Sequence, residues 1–133
     1  MDGIRRCIKS IFLLSAIAFV YHVVDGDTID VQLDSGAVED RVRLIGVNAP
    51  ERGEPGYKEA KEYLKERLLY QVVWIETDVE YRDSCRRLLG YVWLDGVMIN
   101  LQLVKKDLAV VADPEYYGDN VKYLEELKEA EGE

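Results

Sequence analysis

One amphipathic helix among five β-like segments constrains the fold of this chain more than any other feature. The helix is predicted over residues 57–70, where Tyr57, Ala60 and Leu64 recur at helical spacing and charged side chains occupy the other faces. The β-like segments are rich in Val, Ile, Trp and Tyr and are bounded by turn residues; they span residues 19–25, 28–33, 38–47, 72–81 and 88–96. The helix therefore falls between the third and fourth predicted strands.

This order of elements predicts an α+β, mainly β, OB-fold barrel of five strands. One helix lies between strands 3 and 4, and two more are predicted at the C-terminal end, one capped by Asn100 and running to Lys106, the other capped by Asp119. A β-sandwich would lack the interrupting helix, and a βαβ fold would need more crossovers. With 133 residues the chain can form one domain with a single core, without a disulfide or a structural metal.

The N-terminal residues resemble a secretory leader. Three basic side chains precede the apolar run 11–21, which contains the small-residue sequence Ala16-Ile17-Ala18. A basic region, a short apolar region and such a site are typical of a signal peptide. We therefore predict a signal peptide over residues 1–18, with cleavage after Ala18, and a folded domain over residues 19–133.

The alternative is that residues 15–24 simply form a long first strand. In either case the apolar run is too short to span a bilayer, which takes about 20 residues, so no stable membrane span is expected. The signal-peptide interpretation predicts a secreted or cell-envelope associated protein; without cleavage the protein would be cytoplasmic.

Composition excludes several classes of chemistry. The net charge of −9 argues against a protein that coats nucleic acid through a broadly basic face. The single histidine, His22, excludes histidine-rich metal sites and Ser-His-Asp catalysis, and the two cysteines, Cys7 and Cys85, do not form a disulfide framework. Any catalysis must therefore use carboxylates, arginines and hydroxyls, with or without a hard cation.

Asp27 is the residue that local structure explains least. It follows the turn Asp25-Gly26 in "VVDGDTIDV", at the start of a strand where Val, Ile or Thr is expected. The dipeptide Asp95-Gly96 forms a similar turn with no further acid beside it. Burying a carboxylate near a barrel core without a partner destabilises the fold. Residues that do not suit their local structure in this way concentrate at functional sites. Asp30, in the same stretch, is predicted to face solvent.

Arginines supply the second half of a possible site. Six of the nine arginines lie beside two loops: Arg41, Arg43, Arg52, Arg82, Arg86 and Arg87. Each group by itself is more typical of a solvated surface. Together, guanidinium groups suit phosphate recognition, and carboxylate and carbonyl oxygens suit Ca²⁺ or Mg²⁺. A base, a hard cation and paired arginines are what hydrolysis of a phosphodiester requires.

Three stretches resemble, in order and spacing, the signature sequences of the staphylococcal nuclease (thermonuclease-like) family: "VVDGDTIDV", "VRLIGVNAPE" and "RLLGYVWLDGVMIN". The resemblance extends from Phe19 to about Ala130. It implies an OB-fold barrel with three helices and a Ca²⁺-dependent nuclease that hydrolyses DNA and RNA to products with 3′-phosphates.

The resemblance also implies a metal site. At matching positions, Asp27 would be the principal Ca²⁺ carboxylate and Asp25 an acid acting through water. Asn48 and the backbone carbonyl of Ala49 would complete the ligands. The family usually has aspartate at the position of Asn48, so this site has one negative charge fewer.

The remaining matches concern catalysis and substrate. Glu51 would be the general base, and Arg43 and Arg87 would bind the phosphate and stabilise its transition state. Tyr116 or Tyr117 would lie beside the nucleotide. Where the family has Lys-Tyr-Gly-Arg, this chain has Ser84 to Arg87, and Arg86 in place of glycine would be strained if its φ is positive.

The expected partners are DNA and RNA, preferably single-stranded, with no obligate protein partner and a monomeric chain. The alternative function is a catalytically weak OB-fold domain that binds single-stranded nucleic acid or a protein. Such a binding face would carry stacking aromatics, for which Trp74, Tyr91 and Trp93 are the candidates.

Overall fold

The computed structural model describes residues 15–132, and the predictions for residues 1–14 lie outside this range. Eight strands are present: β1 (Ser15–Asp25), β2 (Thr28–Leu33), β3 (Val38–Leu44), β4 (Val47–Asn48), β5 (Val72–Glu76), β6 (Leu88–Leu94), β7 (Val97–Met98) and β8 (Val110–Val111). The helices are α1 (Tyr57–Leu68), α2 (Ile99–Lys105), α3 (Pro114–Tyr117) and α4 (Leu124–Glu131).

Five long strands close into a barrel. Antiparallel neighbours follow the order β3-β2-β1-β5-β6, and a parallel pairing between β3 and β6 closes the sheet. In this pairing Val42 lies opposite Leu88 and Arg43 lies opposite Leu89. The predicted OB-type barrel is confirmed, with one helix between its third and fourth strands.

The core lies inside the barrel and beneath α1. Alternate apolar residues of the strands point inward, and α1 buries Ala60, Leu64 and Leu68 along one face. The C-terminal helix α4 adds Leu127 and Ala130 to the same core. Hydrophobic burial thus positions both α1 and α4 against the barrel.

The C-terminal helices differ from the prediction. Asn100 is not an N-cap, because Met98 occupies that position and Asn100 lies fully buried within α2. Its amide donates to the carbonyl oxygens of Ile45 (2.9 Å) and Gly90 (3.3 Å) and accepts from the Val92 N–H at 2.9 Å. Asn100 therefore joins α2 to the loop after β3 and to β6.

Asp119 is not a cap either, since the last helix begins after Tyr123, and the short α3 is a fourth helix beyond the three predicted. The boundaries of other elements also shift. The predicted third strand breaks at Gly46, whose φ is 81°, and β5 ends at Glu76 rather than at residue 81. Beyond β5, the Glu80 N–H donates to Asn120, and Asp78 accepts from the Lys122 N–H at 3.0 Å and from the Tyr91 hydroxyl of β6 at 2.7 Å.

The first strand is long and begins at Ser15. Residues 15–19 pair with Glu76 to Val72 of β5, and Ala18 is buried in the core. Residues 15–18 are thus part of the barrel in this structure, as the alternative interpretation of the N-terminus expects. Cleavage after Ala18 would remove these pairs, and the signal peptide stays a prediction.

Asp30 does not face solvent as predicted. Arg41 donates to it through Nε (2.8 Å) and Nη2 (3.1 Å), and Nδ1 of His22 lies 3.0 Å from Oδ2, the oxygen that Arg41 Nη2 also contacts. The hydrogen bonds from Arg41, followed by that from His22, lower the pKa of Asp30 despite its burial. The residue is a structural link between β1, β2 and β3.

Within residues 15–132 no helix has the length and apolar character needed to cross a membrane.

Candidate active site

A cleft of about 660 Å³ collects most of the predicted site residues. The residues predicted for metal, catalysis or substrate that line it are Asp25, Asp27, Arg43, Asn48, Ala49, Glu51, Arg87 and Tyr116. Tyr117 lines a neighbouring cleft of about 350 Å³, which shares Arg43, Arg87 and Tyr116 with the first. The fold therefore brings these side chains together from five separate parts of the chain, while their roles stay predictions.

Asp27 joins two of these parts. Its backbone N–H donates to Asp25 Oδ1 at 3.1 Å, which shapes the turn between β1 and β2. Its own carboxylate accepts from the Thr28 hydroxyl at 3.1 Å and from the Ala49 N–H at 2.8 Å. The carboxylate is thus fixed by the loop that follows β4, and it is 8% exposed.

Gly26 allows the turn between β1 and β2 to lie close to α1 and to the loop that contains Ala49. A Cβ at this position would lie 2.6 Å from the Cβ of Ala60 in α1 and 2.7 Å from the Cβ of Ala49. Both distances are too short for carbon atoms, so a side chain at Gly26 would push the helix and the Ala49 loop away. The glycine is required by packing and not by its φ.

Arg43 lies largely buried beside Asp27, with 12% of its side chain exposed. It occupies β3 between Thr28 of β2 and Leu89 of β6. Its guanidinium donates to the carbonyl oxygens of Leu44 (2.8 Å) and Val47 (2.7 Å) and to Asn48 Oδ1 (2.6 Å), and Nη2 is 3.4 Å from Asp27 Oδ2. The side chain is therefore held in one orientation by backbone atoms and by two side chains.

Burial shifts both charges of this pair. It lowers the pKa of Arg43, with Asp27 opposing the shift, and it raises the pKa of Asp27, with Arg43 and the Ala49 N–H opposing the shift. Burial disfavours the charged form of each residue, and the opposite charge of its partner favours it. A further positive charge that entered the cleft would therefore also favour the ionised form of Asp27.

Arg87 is oriented by a residue that sequence reasoning missed. Asp83 Oδ2 accepts from Arg87 Nε at 2.7 Å, and Asp83 Oδ1 accepts from the backbone N–H groups of Cys85 and Arg87, both at 2.9 Å. An aspartate that bonds to N–H groups two and four residues later is a recognisable turn signal in "YRDSCRR". In this turn Arg86 has a φ of 65°, so the positive φ anticipated at this position is present.

Glu51 lies in an exposed loop on the rim of the cleft. Its backbone N–H donates to Glu54 Oε1 at 2.6 Å, and the Glu54 N–H donates back to the Glu51 carbonyl at 2.9 Å. Glu54 also lines the cleft, which the sequence alone did not indicate. The loop thus presents the Glu51 carboxylate to solvent and to the cleft.

Tyr116 is 60% exposed and lies between the two clefts. Its segment is tied down by Asn120, which accepts from the Glu80 N–H at 2.7 Å and donates to the Glu80 carbonyl at 3.1 Å. Glu80 and Asn120 are far apart in sequence, so no local pattern could reveal this pairing.

Four of the residues that line the cleft carry oxygen donors of the kind that Ca²⁺ or Mg²⁺ prefers. They are the carboxylates of Asp25 and Asp27, the side-chain oxygen of Asn48, which also accepts from Arg43, and the carbonyl of Ala49. No group of three or more His, Cys, Asp or Glu side chains within residues 15–132 is arranged to hold a metal. A cation here would therefore depend on the amide and backbone oxygens as well as on the two acids.

The aromatic platform of the alternative function is incomplete. Tyr91 is fully buried and donates to Asp78 at 2.7 Å, and Trp93 is half-buried with its Nε1 bonded to Glu76. Only Trp74 of the three is exposed. The three residues do not form one stacking surface.

Comparison with known proteins gives one matching family model and several similar proteins. A family model described as "Staphylococcal nuclease homologue" matches residues 41–133. A thermonuclease of Staphylococcus hyicus is 37% identical over 118 residues, covering 84% of this chain and 67% of that protein. A thermonuclease of Staphylococcus intermedius is 38% identical over 120 residues, covering 86% of this chain and 68% of that protein. An SPbeta prophage-derived endonuclease, YokF of Bacillus subtilis, is 34% identical over 117 residues, covering 83% of this chain and 38% of that protein.

Proposed function

This chain belongs to the staphylococcal nuclease family and is a nuclease, and we propose that it hydrolyses DNA and RNA in a Ca²⁺-dependent reaction that leaves 3′-phosphates. The observation that carries the proposal is the convergence of Asp27, Arg43, Glu51 and Arg87 on one cleft. The two arginines can stabilise the charge that develops on the phosphate. The buried carboxylate can bind a metal ion, and the exposed carboxylate can activate water, as phosphodiester hydrolysis requires.

The two arginines would bind the phosphate. Arg43 is held by backbone carbonyls and Arg87 by Asp83, so both guanidinium groups are oriented before substrate enters. Preorganised donors stabilise the negative charge that develops on the phosphate oxygens without reorganising during the reaction. The buried position of Arg43 strengthens this effect, because fewer water molecules screen its charge.

The acidic residues divide into two roles. Glu51 is exposed on the cleft rim, where its carboxylate can orient a water molecule and accept its proton. Asp25, Asp27, Asn48 and the Ala49 carbonyl would hold Ca²⁺, which when bound supplies a positive charge that polarises the phosphate. The N–H of Ala49 and the hydroxyl of Thr28 hold the Asp27 carboxylate in one orientation.

Degradation of single-stranded DNA by the purified chain tests the proposal. We expect cleavage in Ca²⁺, none in EGTA, and a loss of about 10²- to 10⁴-fold in the Glu51→Gln variant. Glu59→Gln makes the same charge change on the exposed face of α1 and should leave activity unchanged. Binding without cleavage in every metal tested would contradict the proposal and favour a catalytically weak binding domain.

The finer features are tested with the same preparation. The proposal includes a preference for single strands, 3′-phosphate products and a monomeric enzyme. Phosphatase sensitivity of the product ends, competition between single- and double-stranded substrates, and sedimentation velocity check these in turn. Products carrying 5′-phosphates would contradict the proposed bond cleavage.

We further propose that residues 1–18 serve as an export signal, on the basis of their basic and apolar pattern. Because residues 15–18 are strand residues here, a chain that starts at Phe19 should be less stable than one that starts at Ser15. N-terminal sequencing of the protein from its native host is the direct test. A mature start at Phe19 supports export, and an intact Met1 contradicts it.

A further inference from the structure

Tyr63, Arg67 and Lys106 form a cationic patch, here called the Tyr63 patch, where α1 meets the residues after α2. Arg67 Nη1 donates to the Tyr63 hydroxyl at 3.1 Å. The Arg67 guanidinium lies 5.8 Å from the centre of the Tyr63 ring, and the Lys106 ammonium lies 5.9 Å from it. One aromatic ring therefore contacts two positive side chains, in a protein with 26 acidic and 17 basic residues.

Arg67 and Lys106 have no acidic partner among the described residues. Within residues 15–132, no carboxylate lies within 4.0 Å of either cation. Other cations of the same surface type do pair, as Lys65 does with Glu62 at 3.5 Å. Two neighbouring unpaired cations in an acidic chain form a site that favours an anion.

The Tyr63 ring at the centre of the patch is held in place by the fold. The Tyr63 ring is half-buried and packs against the hydrophobic core, so the groups around it are positioned by the fold. Its hydroxyl accepts a hydrogen bond from Arg67, which leaves the hydroxyl hydrogen available for another acceptor. The Lys106 ammonium, the Arg67 guanidinium and the Tyr63 hydroxyl are all donors of the kind that bind phosphate oxygens, and they surround one half-buried ring.

Its position relates it to the candidate active site. Asp107 and Leu108, the two residues after Lys106, line the active-site cleft. On α1, Ala60 packs beside the Gly26 turn, and Tyr63 lies only three residues further, a rise of about 4.5 Å along the helix. The Tyr63 patch is therefore at the edge of the cleft and outside the set of residues that would contact the scissile phosphate.

We propose that the Tyr63 patch binds the phosphate backbone of the same single strand whose scissile bond lies in the cleft. This inference rests on the proposed function and adds a substrate-binding surface to it. OB-fold domains contact about 4–16 nucleotides of a single strand, so a second phosphate contact beyond the cleft fits the scale of the fold. The patch contributes to affinity for long strands and takes no part in the chemical step.

Binding and cleavage of strands of two lengths test this. A fluorescent 20-nucleotide single-stranded DNA is titrated by anisotropy, in Ca²⁺ with the Glu51→Gln background and separately in EGTA. Arg67→Ala and Lys106→Ala are each expected to weaken binding about threefold to tenfold and to reduce the slope of log K against log salt by about 0.7. Tyr63→Phe keeps the ring and removes only the hydroxyl donor, and Arg67→Lys keeps the charge, so both should weaken binding less.

Lys65→Ala is the matched control, since it removes one positive charge from the same helix outside the patch. In the active chain, the patch variants should raise KM for the 20-nucleotide strand and leave kcat/KM for a trinucleotide unchanged. Equal losses in Lys65→Ala, equal effects on both lengths, or unchanged binding would overturn the inference. A chain that binds the long strand through the patch and does not cleave it would contradict the proposed catalysis and still support the patch.

Discussion

The side-chain oxygen of Asn48 accepts a hydrogen bond from Arg43 Nη2 at 2.6 Å. Asn48 is a proposed cation ligand, and Arg43 is proposed to bind the phosphate. A cation bound to the Asn48 oxygen would therefore weaken the hydrogen bond that this oxygen accepts from Arg43. The position that departs from the usual aspartate of the family is thus the point at which the two halves of the site meet.

Replacing Asn48 by aspartate should strengthen cation binding. Asn48→Asp adds a negative charge to the ligand oxygens, and we expect about tenfold tighter Ca²⁺ binding by calorimetry. Gln71→Glu adds the same charge at an exposed position outside the cleft, and its Ca²⁺ affinity should not change. An unchanged affinity in Asn48→Asp would remove Asn48 from the cation site.

Asp83→Asn should separate the orientation of Arg87 from the fold of its turn. Asparagine can still accept from the N–H groups of Cys85 and Arg87, but it loses the charge that faces Arg87 Nε at 2.7 Å. We expect kcat/KM for single-stranded DNA to fall about tenfold with little change in thermal midpoint, as when a charge-assisted bond of about 1.5–3 kcal/mol is weakened. Asp95→Asn, in the turn after β6, should change neither quantity, and a full loss of folding in Asp83→Asn would instead assign Asp83 to the fold alone.

The residues of the candidate site were predictable to different extents. Asp27 and the arginines stood out because charged residues interrupt apolar strands, which is visible in one short stretch of sequence. Asp30 has the same signal, but its purpose is structural, because its partners Arg41 and His22 come from two other strands. Sequence shows where a charge is out of place, and only the register of the strands shows what neutralises it.

Arg86→Gly should stabilise the protein. Arg86 adopts a φ of 65°, a conformation that costs a residue with a side chain about 1 kcal/mol and costs glycine very little. We expect the free energy of unfolding in urea to rise by about 0.5–1 kcal/mol, the flexibility of glycine in the unfolded chain offsetting part of the gain. Arg86→Ala removes the same charged side chain and keeps the strain, so it should show no such gain; equal stabilisation in both variants would assign the effect to charge.

Asp30 makes stability depend on acidity in a defined direction. Its pKa in the folded state is lowered, chiefly by Arg41. The stabilisation is therefore complete above the unfolded value of about 3.9 and is lost as the pH falls through the lower folded pKa. Asp30→Asn should unfold more easily than the unchanged protein at pH 6, and the difference in urea midpoint should shrink toward pH 2. A difference that stays constant over this range would show that the ion pair with Arg41 makes no net contribution.

Helix and strand types followed from periodicity, but the long-range polar contacts did not. Asn100 looked like a cap because asparagine often caps helices, yet its neighbours Ile45 and Gly90 lie far away in sequence. Glu80 and Asn120 are a similar case, because the side-chain amide of Asn120 bonds to both the N–H and the carbonyl of Glu80, which lies 40 residues earlier. Such contacts depend on barrel closure and leave no periodic trace.

The parallel pairing of β3 and β6 has a consequence for the proposed active site. Arg43 lies in that pairing opposite Leu89, and Arg87 comes directly before Leu88, which lies opposite Val42. With this pairing open and the four antiparallel pairings intact, the five long strands would hold Arg43 and Arg87 near opposite edges of one sheet. If the proposed function holds, local opening of the β3–β6 joint is therefore enough to separate the two arginines and abolish the activity.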